Sequence, residues 1–343
     1  MGWMSRIRLR IGTVIGMVSK IATRPEPSFF FKATRDGFGE ALVQLGRENK
    51  DIVVLSGDLE DSTRAEYFKK EFPERFFNLG IAEEDIAGTA AGLSKTGLIP
   101  FICSFAAFWA NAFGVFRVTV CYNKCNVKII GTHCGISVGP DGATAQALED
   151  LAAMSVLPNM SVICPADAYE AAKATKAIAG IDGPVYLRLG REAVPFVTDK
   201  DKPFVLGKAD VLRKGDDAAI IACGVMVSES LKAAEGLSRE RINARVINMH
   251  TIKPVDRAEI TRAAKETGAI VTAEDHQING GLGSAVAGVL ARGCPAPMEM
   301  VAVRDTFGES GEGEELREKY GLKAVDIIAA VKKAISRKNN GKN

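Results

Sequence analysis

The sequence lacks the features that mark membrane-spanning and nucleic-acid-binding proteins. Its 343 residues include no run of 18 apolar residues, so no membrane partner or membrane-spanning helix is predicted. Lys and Arg number 44 against 42 Asp and Glu, and this near balance gives no electrostatic sign of nucleic-acid binding. No repeat of fixed period is visible. At 47% hydrophobic residues, the chain has enough apolar side chains for two sizeable cores.

The few cysteines form neither a disulfide nor a zinc pattern. Seven are scattered along the chain, at positions 103, 121, 125, 134, 164, 223 and 294. The count is odd, and Cys121 and Cys125 lack the second pair or nearby His that a zinc site requires. We therefore expect reduced thiols in a cytoplasmic protein.

Residues 1–28 differ from the rest of the chain. Basic residues such as Arg6 and Lys20 stand among apolar ones, without the continuous apolar stretch or small-residue cleavage site of a signal peptide. A basic helix at a membrane surface is only weakly indicated, and the Pro-containing segment 24–28 is typical of a linker. We expect an N-terminal extension here, either an accessory arm or the product of a translation start placed too far upstream.

Beyond this extension, helical and strand patterns alternate in two successive blocks. Short apolar strands separated by helices predict an α/β protein of two doubly wound domains, with mainly parallel sheets and helices on both faces. The polar segment 198–205 ends at a proline and separates the blocks. We predict a first domain over 29–197, a linker over 198–205, a smaller second domain over 206–337 with four strands, and a tail over 338–343.

Within the first domain, several elements are predicted with definite ends. A short buried strand is expected at 75–79 because its residues are largely apolar. Single helices are expected over 62–72, 106–122 and 147–153.

Three consecutive acidic residues beginning at Glu83 follow the strand predicted at 75–79. Apolar residues recur at helical spacing from Ile81 to Ala90, which places the acids in a first helical turn, where the helix dipole favours carboxylates. Starting a helix is the simplest explanation for them. The surroundings are, however, apolar enough to desolvate a carboxyl and raise its pKa. The small residues that follow would let a ligand or another backbone come close.

The motif Gly80-Ile-Ala-Glu83 resembles that of the pyrimidine-binding domain in transketolases and deoxyxylulose-phosphate synthases. In that family this Glu hydrogen-bonds N1′ of the aminopyrimidine ring of thiamine diphosphate, a role that suits a carboxyl with a raised pKa. The resemblance covers residues 32–333. It is to the C-terminal half of transketolase, in which a pyrimidine-binding domain precedes a smaller C-terminal domain.

The resemblance also implies the remainder of a cofactor site. Phe105 and Phe108 match the aromatic positions that hold the aminopyrimidine ring in transketolases, and flat rings suit stacking on a heteroaromatic face. By themselves, the two would be explained as core residues at helical spacing. Asp58 matches an acidic residue near the cofactor at the subunit contact.

Four further positions match residues that grip the phosphate of the sugar substrate in that family, namely Arg35, Ser62, His133 and Arg191. An Arg side chain can bind phosphate oxygens with two bonds, and a hydroxyl at a helix start adds a donor. Each position alone is weak support, since an isolated surface Arg is commonly just solvated. Asp141 matches a residue that contacts a substrate hydroxyl, and its Pro-Asp-Gly context is also typical of a turn. Glu83 and His133 are the expected catalytic residues.

Ala145 departs from the family pattern. It stands where these enzymes carry a His that touches the donor sugar near the reacting carbon, and Ala can neither donate a hydrogen bond nor move a proton. Losing such a contact costs about 1–3 kcal/mol when a polar partner stays buried. The departure predicts a specialised donor or acceptor sugar, or a slower enzyme.

A second departure concerns the metal. Thiamine enzymes hold the diphosphate through Mg²⁺ with a Gly-Asp-Gly motif followed by an Asn, and no segment of this chain fits that motif. We therefore expect no metal ligand here, thiamine diphosphate bound by its pyrimidine end, and Mg²⁺ held by a separately encoded N-terminal subunit. By resemblance, two copies of each chain would form a heterotetramer.

Taken together, the motifs predict a transketolase subunit that transfers a two-carbon ketol unit between a ketose phosphate and an aldose phosphate, as in pentose phosphate metabolism. Three alternatives stay open: the β subunit of a 2-oxo acid dehydrogenase, a non-catalytic or regulatory transketolase-like subunit, and a dinucleotide-binding dehydrogenase. The phosphate-binding residues argue against the first, and retention of Glu83 and the two Phe residues argues against the second. Gly280-Gly-Leu-Gly-Ser is a weak match to a dinucleotide loop, which we attribute to packing.

Overall fold

Residues 31–340 are described by the computed structural model, and the extension predicted at 1–28 lies outside them. In this range no helix is long and apolar enough to cross a membrane. In chain order the strands are β1 (Phe31–Ala33), β2 (Ile52–Ser56), β3 (Phe76–Asn78), β4 (Ile99–Phe105), β5 (Lys128–Thr132), β6 (Ser161–Ile163), β7 (Val185–Arg188), β8 (Ala193–Pro195), β9 (Asp210–Arg213), β10 (Ala218–Ala222), β11 (Ala244–Asn248), β12 (Thr251–Lys253), β13 (Ile270–Gln277) and β14 (Met298–Val303).

The α-helices alternate with these strands and cover the sheets. In chain order they are α1 (Thr34–Glu48), α2 (Glu60–Thr63), α3 (Glu66–Glu71), α4 (Glu83–Lys95), α5 (Phe113–Val115), α6 (Asp150–Val156), α7 (Ala168–Ala179), α8 (Met226–Arg239), α9 (Arg257–Thr267), α10 (Leu282–Gly293), α11 (Gly313–Lys319) and α12 (Ala324–Asn340). Two of them start at an Asp whose side chain accepts a backbone hydrogen bond from the first turn, Asp167 before α7 and Asp256 before α9.

The first sheet has seven strands in the order β12-β6-β7-β5-β4-β2-β3. Strands β2 to β7 pair in parallel throughout, which confirms the predicted parallel sheet. Every residue of β2 is buried, as expected for a strand covered by helices on both faces. The seventh strand, β12, comes from the second domain and pairs antiparallel with β6. The two domains therefore share one sheet, which the sequence did not indicate.

The second sheet has the order β14-β13-β10-β11-β9. The four strands expected in this domain are β10, β11, β13 and β14, and they pair in parallel. An additional edge strand, β9, pairs antiparallel with β11 and was not predicted. A small separate ribbon pairs β1 with β8. The α/β class and the two doubly wound domains are thus confirmed.

Several predicted elements differ in detail. The strand expected to be buried at 75–79 is β3, which lies at the edge of the sheet. Phe76 is buried, but Phe77 points to the opposite face and is 42% exposed. The helix expected over 62–72 is split into α2 and α3 at Arg64, whose φ of 68° cannot continue a helix. The helix expected over 147–153 begins only at Asp150.

The prediction of a single helix over 106–122 is wrong. The segment forms a 3₁₀ turn at Phe108–Ala110, then α5, then a π-helical stretch at Phe116–Tyr122. Trp109 is fully buried, and its Nε1 donates a 2.9 Å hydrogen bond to the Ile130 carbonyl. This anchor fixes the aromatic segment against β5 in a turn that a straight helix would not make.

Between Pro195 and Asp210 the described chain contains no helix or strand. The start of this segment is nevertheless fixed, because the buried carboxylate of Asp167 accepts hydrogen bonds from the backbone of Val197 and Thr198 at 2.7 Å each. At the other end of the chain, α12 runs to Asn340, so the final helix continues into the region predicted as a tail.

Candidate active site

Five of the sequence-predicted site residues follow or end neighbouring parallel strands. Asp58 follows β2, Glu83 follows β3, Phe105 ends β4, His133 follows β5 and Arg191 follows β7. The carboxyl ends of adjacent parallel strands meet at one edge of a sheet, where ligands bind in open α/β folds. The strand order places the five along one edge, with Glu83 and Phe105 coming from the strands on either side of β2.

Glu83 is the first residue of α4 and is 8% exposed, whereas Glu84 and Asp85 are exposed. Within residues 31–340 its carboxylate accepts no hydrogen bond. A largely buried carboxyl with no protein partner leaves hydrogen-bonding capacity for a ligand or another chain. Ile81 precedes the helix and is 80% exposed, so its assignment to the helical repeat is wrong.

Asn78 ties together the loops that carry Asp58 and Glu83. Its Oδ1 accepts hydrogen bonds from the backbone N of Asp58 at 3.1 Å and of Gly80 at 3.2 Å, and its Nδ2 donates to Asp58 Oδ1 at 2.6 Å. Sequence reasoning assigned no role to Asn78. The available signal was an Asn at a strand end two residues before a Gly, a position that favours side-chain bonds to the local backbone.

Phe105, Phe108 and His133 form a stack of three rings. The Phe105 ring lies 3.7 Å from the imidazole of His133 and 5.2 Å from the Phe108 ring, both at interplanar angles of 18°. Phe105 is 8% exposed, while Phe108 is half-buried and keeps more accessible surface. Of the two Phe rings in this stack, Phe108 is the one more accessible to a ligand.

His133 is buried and held in one tautomer. Its Nε2 lies 3.2 Å from Arg35 Nη1, and because a guanidinium only donates, Nε2 accepts this bond. The proton is therefore on Nδ1, which donates to Thr132 Oγ1 at 3.0 Å. Burial, followed by the positive charges of Arg35, Arg191 and Arg64, lowers the pKa of His133 to about 3. Its φ of 56° is strained for a non-glycine residue, as is common at functional sites.

Arg35 is the centre of a positively charged cluster. Its Nη1 donates to the Ser62 carbonyl at 2.8 Å, so Ser62 enters the cluster through its backbone. Its Nε is buried, with no partner in the described part of the chain. Burial, followed by the charge of Arg64, lowers the pKa of Arg35. Arg64, which sequence reasoning missed, bonds to Asp36 at 2.6 Å. Such a cluster is suited to an anion.

Arg191 and Asp141 lie at the more exposed end of this cluster. Arg191 Nη1 donates to Asp141 Oδ1 at 3.0 Å and to the Val138 carbonyl at 3.1 Å. Both charged side chains are more than one-third exposed. The structure therefore brings the two predicted substrate-binding residues into direct contact, with part of each open to solvent.

Ala145 is 7% exposed, and its neighbour does not take over the role of the missing His. Gln146 Nε2 donates to the carbonyls of Glu309 at 2.9 Å and Ile136 at 3.1 Å. Gln146 therefore joins the loop after β5 to the second domain.

The glycine run at 280–284 has no room for a dinucleotide phosphate. The carboxylate of Glu274 accepts hydrogen bonds from Leu282 N at 2.7 Å and Gly283 N at 2.8 Å, which occupies the N-terminus of α10. A Cβ at Gly281 would lie 2.0 Å from Glu274 Oε2. This confirms the interpretation of the run as packing within the second domain. Among the described residues, no cluster of His, Cys, Asp and Glu is arranged to hold a metal ion.

Comparison with known proteins accounts for both domains. Residues 32–197 match the family model of the transketolase pyrimidine-binding domain, and residues 207–327 match that of the transketolase C-terminal domain. A protein named as a transketolase C-terminal section, from Methanocaldococcus jannaschii, is 44% identical over 305 residues, covering 88% of this chain and 96% of that one.

The chain belongs to the transketolase family. Another transketolase relative, the 6-deoxy-6-sulfo-D-fructose transketolase subunit SqwH of Clostridium sp. (strain MSTE9), is 40% identical over 306 residues, covering 89% of this chain and 95% of that one. A solved structure described as a split gene transketolase, inactive beta4 tetramer, superposes with a TM-score of 0.84 at 52% identity. It covers 89% of this chain and 98% of the other. The resemblance to the C-terminal half of transketolase is thereby confirmed.

Proposed function

We propose that this transketolase-family chain is the pyrimidine-binding subunit of a thiamine-diphosphate-dependent transketolase. It would transfer a two-carbon ketol unit from a ketose phosphate to an aldose phosphate. The observation that carries the proposal is the convergence of a buried, unpartnered Glu83 and the Arg35–His133–Arg191 cluster on one edge of one sheet. The first feature suits a heteroaromatic ring nitrogen, and the second suits a sugar phosphate.

The residues present fit one end of the cofactor. Glu83 would share a proton with the aminopyrimidine N1′. Phe108 would stack on that ring with Phe105 behind it, and Asp58 would lie beside it near the subunit contact. When bound, thiamine diphosphate supplies a carbon nucleophile that adds to the substrate carbonyl. Glu83 is 8% exposed, and its carboxyl has no hydrogen-bond partner within residues 31–340, so it is available to the ring nitrogen.

At the phosphate end, Arg35, Ser62 and Arg191 would bind the substrate phosphate, and Asp141 would contact a substrate hydroxyl. His133 holds its proton on Nδ1 and directs Nε2 at Arg35, so it would fix the guanidinium in place for the phosphate. His133 was expected to be both catalytic and phosphate-binding, and we propose that its part is to orient the substrate through Arg35. The buried, unpartnered Nε of Arg35 is a donor available to the anion.

The diphosphate and Mg²⁺ would be held by an N-terminal subunit, with two copies of each chain in the active assembly. Two findings support this division. No metal-binding cluster exists among the described residues, and the sequence lacks the Gly-Asp-Gly motif. The structurally similar split gene transketolase is described as inactive in its beta4 form.

Ala145 bears on the choice of sugar. A buried Ala in place of a hydrogen-bonding His removes a polar contact near the reacting carbon, and the relative SqwH is named for a sulfonated fructose. We expect the reconstituted enzyme to accept a specialised ketose, and a screen of deoxy, branched and sulfonated ketose phosphates would identify it. Equal activity on all common ketose phosphates would contradict this part of the proposal.

Glu83→Gln in the complex with the N-terminal subunit tests the catalytic claim. Gln preserves size but cannot share the proton, so we expect ketol transfer to fall at least about 10²-fold. Size-exclusion chromatography should show unchanged assembly, and Glu84→Gln, one position along the same helix, should retain activity. Unchanged turnover in Glu83→Gln would indicate a non-catalytic subunit. Oxidative decarboxylation of 2-oxo acids in place of ketol transfer would indicate the dehydrogenase alternative.

A further inference from the structure

The loop after β5, residues 134–146, is held by the second domain as well as by its own. Asp275 in β13 accepts hydrogen bonds from Ile136 N at 2.9 Å and from Ser137 Oγ at 3.3 Å. A Cβ at Gly139 would lie 3.1 Å from the Gly311 carbonyl, and one at Gly142 would lie 2.5 Å from Ser310 Oγ. The segment 308–317 of the second domain therefore packs directly against the loop that carries Asp141.

A second connection reaches the other side of the phosphate cluster. Glu192 directly follows Arg191, in the short connection between β7 and β8. Both of its carboxylate oxygens accept hydrogen bonds from Arg317 of α11, one from Nη1 and one from Nη2 at 3.2 Å. Arg317 is 8% exposed, and its Nη2 also bonds to Glu314. A two-bond pair with one buried partner fixes position more firmly than an exposed pair does.

Arg191 itself has little else to fix it. Its side chain is 37% exposed and is held by Asp141, which is 38% exposed, and by the Val138 carbonyl. Both of these groups lie in or beside the segment that the second domain supports. The position of Arg191 therefore depends on contacts that α11 and its preceding loop make with Glu192 and with the loop 134–146.

We propose that the Glu192–Arg317 pair is a positioning device through which the second domain sets Arg191 for phosphate binding. This rests on the proposed function, since it assigns the C-terminal domain a part in recognising phosphorylated sugars. Neither residue touches the substrate. Their effect would be on the affinity for the phosphate group, with the chemical step left unchanged.

Glu192→Gln distinguishes a positional effect from an electrostatic one, because the two change the phosphate affinity in opposite directions. Removing a negative charge next to Arg191 would, by electrostatics alone, strengthen phosphate binding. Loss of the two-bond pair would instead release Arg191 and weaken phosphate binding. Arg317→Lys is the complementary change, because it keeps the positive charge but cannot form the planar two-bond contact. We expect both variants to bind phosphate more weakly.

Lys319→Gln is the matched control. Lys319 lies two residues after Arg317 on the same helix and pairs with Glu309, but both members of this pair are exposed, Lys319 at 63% and Glu309 at 44%. The substitution removes one positive charge and one ion pair from α11 without touching Glu192. Its phosphate affinity should equal that of the wild type. Thermal unfolding of all three variants would verify that each is folded.

The experiment has two readouts. In the reconstituted complex, KM for a phosphorylated ketose should rise roughly tenfold in Glu192→Gln and Arg317→Lys. The kcat for that ketose, and the kcat/KM for an unphosphorylated ketose, should stay within about twofold of the wild-type values. Calorimetric titration of the full chain with inorganic phosphate should show a matching increase in Kd. Unchanged or tighter phosphate binding, or an equal loss on both ketoses, would overturn the positioning role. If the wild-type complex transferred no ketol unit, the proposed function would fail, yet the phosphate titration would still test the pair.

Discussion

The two ends of the candidate active site, the proposed cofactor end around Glu83 and the proposed phosphate end around Arg35, are held to different degrees. At the cofactor end, Glu83 has no hydrogen-bond partner within residues 31–340, and Ile81 before it is 80% exposed. Along the same helix, added Cβ atoms at Gly88 and Gly92 would meet nothing within 4 Å. At the phosphate end, the side chains are bonded to one another, to β5 and β7, and to the second domain.

This difference shows which end of the site is built entirely by this polypeptide. The phosphate end, centred on Arg35 and His133, has its guanidinium and imidazole fixed by contacts within one polypeptide. The cofactor end has a buried carboxyl and a helix face of small residues that nothing in the described chain covers. We therefore expect another chain to pack on that face when the proposed complex forms.

Arg35→Gln is the most damaging test of the phosphate end. Removing the central guanidinium charge while keeping a hydrogen-bonding side chain should raise the Kd for a ketose phosphate about 100-fold, since charge-assisted pairs are the strongest available. Calorimetry on the full chain would measure it. Arg292→Gln, which removes an exposed charge elsewhere, should change nothing.

The same titration of Glu83→Gln compares the two ends directly. If the ends are independent, the phosphate affinity of Glu83→Gln equals that of the wild type even though the complex is inactive. A loss of phosphate affinity in Glu83→Gln as large as that in Arg35→Gln would show that the two ends are one coupled unit, and the contrast drawn above would be wrong.

Two glycines in helices extend the comparison to stability. A Cβ at Gly37 in α1 would lie 2.2 Å from the backbone oxygen of Ala168, so Gly37→Ala should lower the free energy of unfolding by about 2 kcal/mol. A Cβ at Gly88 in α4 meets nothing within 4 Å, so Gly88→Ala should raise it by about 0.5–1 kcal/mol in the isolated chain. Urea unfolding of each variant would measure both.

Gly88→Ala is expected to stabilise the isolated chain but to weaken its association with another chain. If another chain packs closely on α4, the added methyl group that stabilises the isolated subunit should weaken its association. Analytical ultracentrifugation with the N-terminal subunit would detect this. A variant that is both more stable and equally well assembled would show that the open face of α4 is simply solvated.

Much of the fold and of the candidate site could be predicted because the signals are local. Buried parallel strands such as β2 are short apolar runs, and Asp58, Glu83 and His133 each follow such a run within a few residues. The turn at Trp109 could not be predicted, since its cause is a hydrogen bond to Ile130 on a neighbouring strand.

The contacts between the two domains could not be predicted from the sequence for a different reason. Glu192 and Arg317 are 125 positions apart, and neither stands in a motif. Asn78 likewise acquires its role only when β2 and β3 lie side by side, and Arg64 only when it meets Asp36 of α1. Long-range pairs of common residue types leave no periodic or compositional trace, so only the folded structure identifies them.

His133 offers the mildest test, because the expected result is an absence of change. Its folded-state pKa of about 3 lies below the ordinary value of 6.5, so between these values the unfolded chain binds a proton that the folded chain does not. The stability contribution of a neutral His133 is therefore complete above about pH 6.5 and is lost as pH falls toward 3.

Ring ¹⁵N NMR on the full chain would check this directly. The Nδ1–H tautomer of His133 should persist from pH 8 to 5, while Arg35→Gln, which removes one of the charges that depress the pKa, should move the titration upward. His133→Asn would assign the signal against His250 and His276. A midpoint near 6.5 in the wild type would make the phosphate end a proton carrier, and the fixed anion site inferred from the Arg35–His133 bond would have to be abandoned.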